Sequence, residues 1–289
     1  YNSGSFTMSG GDITNNTTSQ GNNIGYGGGV CNNGSFEMAG GTIKGNEAKQ
    51  CGGGVYNNNH FEMTGGTIEQ NTAKNYGGGG VYSGSNSTYI YGGSITNNNA
   101  RSLSGDVYAA SGKGVHLKGN VTIGGDRSNG LLTNTVHYID GALDGSAIRL
   151  FVPGGKTNDD VLLSPGEKYT ITSEDVKKLS FTNAGYEAIL SSDGNVILSL
   201  PHKHTLCNKT LGQHTGAGHS GSCGTSIKFD EWTDAAAREM YKDSDAAATA
   251  ANRLPNEGSW YLTKPVTLTA PHVVDGGELN LCLNGNSVT

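Results

Sequence analysis

Phe36-Glu37-Met38-Ala39-Gly40-Gly41-Thr42-Ile43, with Asn46 three residues further on, is the stretch from which the fold can be read. It recurs upstream as Phe6 to Ile13 and downstream as Phe61 to Ile68. A fourth, altered copy is Thr88-Tyr89-Ile90-Tyr91-Gly92-Gly93-Ser94-Ile95. Asn16, Asn71 and Asn98 hold the place of Asn46 in the other copies. Each unit runs on to a Val and a further residue: Val30-Cys31, Val55-Tyr56, Val81-Tyr82 and Val107-Tyr108, the first three behind a Gly run. The units are 30, 25 and 27 residues apart. Self-similarity at that period indicates a solenoid, a propeller or an array.

The residues inside the unit choose among these. A leucine-rich repeat needs a Leu ladder, which this stretch lacks. Helical repeats need a sustained 3.6-residue period, and paired glycines work against it. Phe-x-Met and Val-Tyr between turns read as very short strands alternating inside and outside. About three such strands fill a coil of this length, which is one turn of a parallel β-helix, each coil rising ~4.8 Å above the last. Equivalent residues then stack: Phe6/Phe36/Phe61, Met8/Met38/Met63/Ile90, Ile13/Ile43/Ile68/Ile95 and Val30/Val55/Val81/Val107 inside. Asn16/Asn46/Asn71/Asn98 form an amide ladder in a turn. The fold class expected is all-β, a parallel β-helix solenoid.

Composition agrees. The 289 residues include 47 Gly, only 34% hydrophobic and 15% charged residues, and 13 Tyr against 6 Phe and 2 Trp. That excludes a large helical bundle, and low charge argues against charge-driven disorder. No apolar run approaches the ~18 residues of a membrane span. A net charge of -6 with little Arg argues against nucleic-acid binding. The chain opens within a repeat and ends within a strand-like stretch, so it reads as a fragment of a longer protein, with signal and anchor outside it.

The pattern F-x-M-x-G-G-x-I-x-x-N-x-A followed by G-G-G-V-Y resembles the right-handed parallel β-helix repeats of bacterial surface and adhesin-like proteins, pectin-lyase-like in fold. The resemblance covers roughly residues 1–140. It implies an extracellular or cell-surface location, and glycans or host surface proteins as partners. The same fold hosts polysaccharide lyases, glycoside hydrolases and adhesins, so it does not choose an activity.

Five segments are expected: coils over 1–140, degenerate terminal coils and a cap over 141–200, a Cys/His-rich connector over 201–228, a short helical segment over 229–253, and the opening of a second β-helix over 254–289. Within the cap, Ala147 to Val152, Lys168 to Thr172 and Asn195 to Leu200 read as strands. The Ala-rich stretch after Trp232 supplies the helix.

Site candidates are few. Glu37 and Glu62 share one outward register on adjacent coils, and a separation near ~5 Å would suit a retaining glycosidase pair. That register continues as Thr7 and Tyr89, which equally suits two solvated carboxylates. Tyr89 and Tyr91 face outward in the fourth coil, and Tyr56, Tyr82 and Tyr108 form a stripe; both are candidates for glycan or protein contact. A repetitive Tyr face suits weak multivalent binding. Cys31 and Cys51 differ in register by about five residues, which places them more than ~10 Å apart and unpaired.

His202, His204, Cys207, His214, His219 and Cys223 lie close together in a Gly- and Ser-rich segment. Three readings fit: a structural zinc knuckle, a Cys207–Cys223 disulfide, or a His-rich linker. The resemblance favours zinc, since similar proteins carry such knuckles between β-helix blocks. No Glu lies within the cluster, which argues against catalytic zinc. The function expected is an adhesin-like or structural surface protein, with a β-helix carbohydrate-active enzyme as the alternative.

Overall fold

A computed structural model describes residues 1–18, 25–85, 87–101, 104–125, 130–182, 185–200, 202–207, 224–241, 248–250, 252–262, 264–268, 279–282 and 288. The chain divides into two compact units, Tyr1–Leu200 and Pro201–Thr289. The first is a parallel β-solenoid of about 8 turns.

One coil shows how it is built. Val30–Asn32, Ser35–Met38 and Thr42–Lys44 are strands of three or four residues separated by glycine turns. The next coil repeats them as Val55–Asn57, His60–Met63 and Thr67–Glu69, every pair parallel and in register. Strands this short cannot bury a face alone; stacking makes the core. Phe6 pairs with Phe36, Phe36 with Phe61, and Phe61 with Thr88. Ile13, Ile43, Ile68, Ile95, Ile123 and Ile148 form one unbroken inner column. Val30, Val55, Val81, Val107, Leu131 and Leu150 form another. The ladders read from the sequence are those of the fold, and they continue two coils beyond the recognisable repeat.

The amide ladder is present. Asn16 Nδ2 donates to Asn46 Oδ1 at 2.8 Å, Asn46 to Asn71 at 3.0 Å and Asn71 to Asn98 at 3.0 Å. Asn98 ends it on the carboxylate of Asp106, 3.0 Å away. A second ladder runs Asn2–Asn32–Asn57, each bond 2.8 Å, and closes on Thr88 Oγ1. Both also donate to backbone carbonyls of the neighbouring strands: Asn32 to His60 O, Asn71 to Ile43 O and Asn98 to Ile68 O.

Parallel stacking continues through Leu131–Leu132, His137–Ile139, Ala147–Phe151, Val161–Pro165 and Leu179–Phe181. It stops at an antiparallel hairpin, Glu187–Leu190 with Val196–Ser199, which also pairs antiparallel with Val161–Pro165. Lys168 to Thr172 is not a strand. Thr172 caps the helix Ser173–Val176 in a capping box with Asp175, and the same carboxylate accepts from the Tyr169 hydroxyl, so this stretch turns inward onto Asp175.

In the second unit, His202–Cys207 pairs antiparallel with Gly224–Trp232. Gly224–Trp232, Gly258–Leu262 and Leu279–Cys282 then stack in parallel. Thr233 caps the helix Asp234–Met240. Trp232, Ala237, Leu254, Leu262 and Val266 form its core.

Candidate functional site: an aromatic cleft on the outer face

Glu37 and Glu62 are register partners on neighbouring strands. The row runs from Thr7 through Glu37 and Glu62 to Tyr89, then on to His116, Tyr138 and Ser164. Sequence reading reached Tyr89 and missed the last three. The carboxylates therefore stand at one end of a row whose other end is aromatic.

The Tyr stripe is a true stack, and it has one more member than expected. Tyr26, Tyr56, Tyr82 and Tyr108 lie at centroid spacings of 4.6, 5.3 and 5.2 Å, with planes within 23°. Tyr26 enters from before its Gly run and takes the place beside Cys31 that Tyr occupies in later coils. The rings cover one another's faces, so the stripe presents ring edges and hydroxyls to solvent. Burial, and then the charge of Cys51, hold the Tyr82 hydroxyl up to about 12. Cys51 is itself pushed up to about 12, by burial first and Cys31 second. Both cysteines are free.

The second row is a cleft. Tyr89 lies against His116 at 4.9 Å with the rings tilted by 37°, His116 stacks on Tyr138 at 4.7 Å, and His60 lies tilted against Tyr89 at 5.6 Å. His116 Nδ1–H donates to the Asp140 carboxylate, whose oxygens lie 2.9 and 3.0 Å away. The same carboxylate accepts from the Tyr91 hydroxyl at 2.7 Å. Burial, then this bond, raises the pKa of Tyr91, so its hydroxyl keeps its proton. Lys118 Nζ sits 3.8 Å over the Tyr91 ring. A register shift between Ile90 and Gly92 makes this possible: His116–Ile123 carries an extra residue there, with Gly119 in the left-handed region at φ +70.

Two turns wall the cleft. One hollow of about 410 Å³ lies between Gly112 and Gly114, the rings of His116 and Tyr138, and Pro165, Gly166 and Glu167; an adjoining one of about 410 Å³ is lined by Tyr89, His116, Asp140, Glu167 and Lys168. A third hollow of about 380 Å³ lies beyond Tyr91, lined by Thr64, Ser94, Asn120 and Thr122. The strands thus bring together Tyr89 and Tyr91, which were expected at a binding face, with His116, Tyr138 and Asp140, which were not. Glu37 lines none of the three hollows, and the Tyr56/Tyr82/Tyr108 stack lies on a different strand row.

Of the connector residues, His214, His219 and Cys223 lie outside the described residues. The hairpin sets Cys207 opposite Gly224, the neighbour of Cys223, with His204 opposite Ile227 and His202 opposite Phe229. Among the described residues, no group of three or more His, Cys, Asp or Glu is placed to hold a metal, and no helix is long and apolar enough to cross a membrane. Comparison with protein-family models, with curated proteins and with solved structures finds no match to this chain.

Proposed function

We propose that the chain is part of an extracellular or cell-surface protein of bacterial adhesin type, a right-handed, pectin-lyase-like β-helix that binds through its outer face. Its partners are glycans or host surface proteins, held by weak contacts repeated along the coils. The observation that carries this reading is the pair of outward aromatic rows, Tyr26/Tyr56/Tyr82/Tyr108 and Tyr89/His116/Tyr138. Aromatic rings with polar tips, held rigid by a backbone ladder, suit recognition surfaces. A small connector stabilised by zinc through Cys207, Cys223 and the neighbouring histidines completes the proposal; metal analysis of the purified protein tests it.

The test of binding is retention of the purified protein on immobilised glycans and mucin, with mass-spectrometric analysis of the eluate. Retention without new oligosaccharides supports a binding protein. Oligosaccharide release, abolished in Glu37→Gln or Glu62→Gln, would replace it with a carbohydrate-active enzyme.

A further inference from the structure

We propose that the hollow against Tyr138 is a discrete site for a single uncharged pyranose ring, stacked on the open face of Tyr138 and hydrogen-bonded through His116 and Glu167. This rests on the binding reading above and gives one site on that surface a ligand class.

The argument starts from the ladder. His60, Tyr89, His116 and Tyr138 each lie 4.7 to 5.6 Å from the next ring. The following place in register is Ser164, which carries no ring. Tyr138 therefore has His116 against one face and, among the described residues, no aromatic partner on the other. The hollow at that end is lined by Gly112, Gly114, Pro165, Gly166 and Glu167, and its size of about 410 Å³ is within the ~300–1,000 Å³ of small-molecule sites. Gly114 lets the Tyr138 ring pack against the backbone beside the hollow: a Cβ there would lie 2.6 Å from Tyr138 Cε2.

The polar groups define the ring. Asp140 accepts from Tyr91 and holds His116 through Nδ1, and His116 lines both hollows, which offers its second ring nitrogen to a ligand hydroxyl. Glu167 adds a carboxylate and Lys168 an ammonium at the rim. Both signs are present, which matches the hydroxyls of a neutral sugar rather than a ligand of one charge. A pyranose offers a flat C–H face to Tyr138 and hydroxyls at its edge to these groups.

Methyl pyranosides of glucose, galactose, mannose and N-acetylglucosamine, titrated with saturation-transfer NMR while the His116 ring signals are followed, test the site. One of them is expected to saturate with one-to-one stoichiometry and to move the His116 resonances. Tyr138→Ala is expected to weaken binding at least tenfold, and Gly10→Ala, in the first coil where a Cβ meets nothing within 4 Å, to leave it unchanged. Ser164→Tyr, which adds the missing ring at the next place in register, is expected to abolish binding in a folded protein. The proposal is overturned if no pyranoside saturates, if a phenol binds and the sugars do not, or if Ser164→Tyr binds as before. If the chain is still retained on polymeric glycans in those cases, the surface reading stands without this site. Loss of all retention as well sinks both.

Discussion

His137 is wholly buried, and both its ring nitrogens are committed: Nδ1 accepts from the Val115 amide at 3.1 Å, and Nε2 donates to the Leu132 carbonyl at 2.8 Å. Only the neutral imidazole fits this arrangement. Burial pulls its pKa down to about 4 from 6.5, against the Leu132 bond, which works the other way. The unfolded chain binds the proton below 6.5 and the folded chain only near 4, so stability is full above 6.5 and falls as pH drops through that window. The loss is on the order of 3 kcal/mol. Urea midpoints measured between pH 7.5 and 4 should show it, and His137→Gln should flatten that slope while lowering the midpoint at pH 7.5. Asn71 makes a similar case without a charge. It donates to Ile43 O and Asn98 Oδ1, and accepts from the Asn46 amide and side chain. Asn71→Ala strands buried groups on both neighbouring coils and should cost about 2–4 kcal/mol by denaturant unfolding. Asn71 was legible in the sequence because its type repeats at its register. His137 was not, because its register partner in the next coil is Leu163, so its type does not repeat.

The turns between strands obey a stricter rule than the strands do. Gly54 lies against the coil above, and a Cβ there would meet Gly80 O at 2.7 Å, Ile68 Cγ2 at 2.9 Å and Asn71 Nδ2 at 3.0 Å. Gly10, in the first coil, would meet nothing within 4 Å. Gly54→Ala should therefore lower the thermal midpoint by several degrees, the equivalent of roughly 1–3 kcal/mol, while Gly10→Ala stays close to wild type. The end of the solenoid depends on one acid. Asp175 accepts from the Leu143 amide, the Tyr169 hydroxyl, and the amide and hydroxyl of Thr172. Burial pushes its pKa up, and these four donors more than offset that, leaving it below 3.8. Asp175→Asn sets an NH₂ among donors and should cost about 1–3 kcal/mol, read as earlier urea unfolding at pH 7. The capping box was written as Thr172 and Asp175, but the alternation of Lys168 to Thr172 reads equally as a strand, and only the packing of Tyr169 onto Asp175 separates the two.

For the whole molecule, the two units predict that a chain ending at Leu200 keeps its β circular dichroism and melts within a few degrees of the solenoid transition of the full chain. Collapse of the shortened chain would mean that the second unit holds the first together. The coils were legible from Phe6 to Ile95 because stacking demands that equivalent residues agree. The cleft was hidden for the same reason. His116 and Tyr138 are only 22 residues apart, so the period read upstream does not align them, and their partner Asp140 belongs to no repeat. Had Val115-His116-Leu117-Lys118 been set beside His137-Tyr138-Ile139-Asp140, the shared inside–outside pattern would have put all three on one face.

In-register pairing has a mechanical side as well. The bonds between coils point along the solenoid's long axis, so a tensile load along that axis passes through the rungs in series. Each rung that parts releases about 25 residues, or roughly 85 Å of slack chain. The first unit would lengthen in steps, each one shedding load before the next coil is strained, as a tether does when it must absorb a sudden pull without snapping.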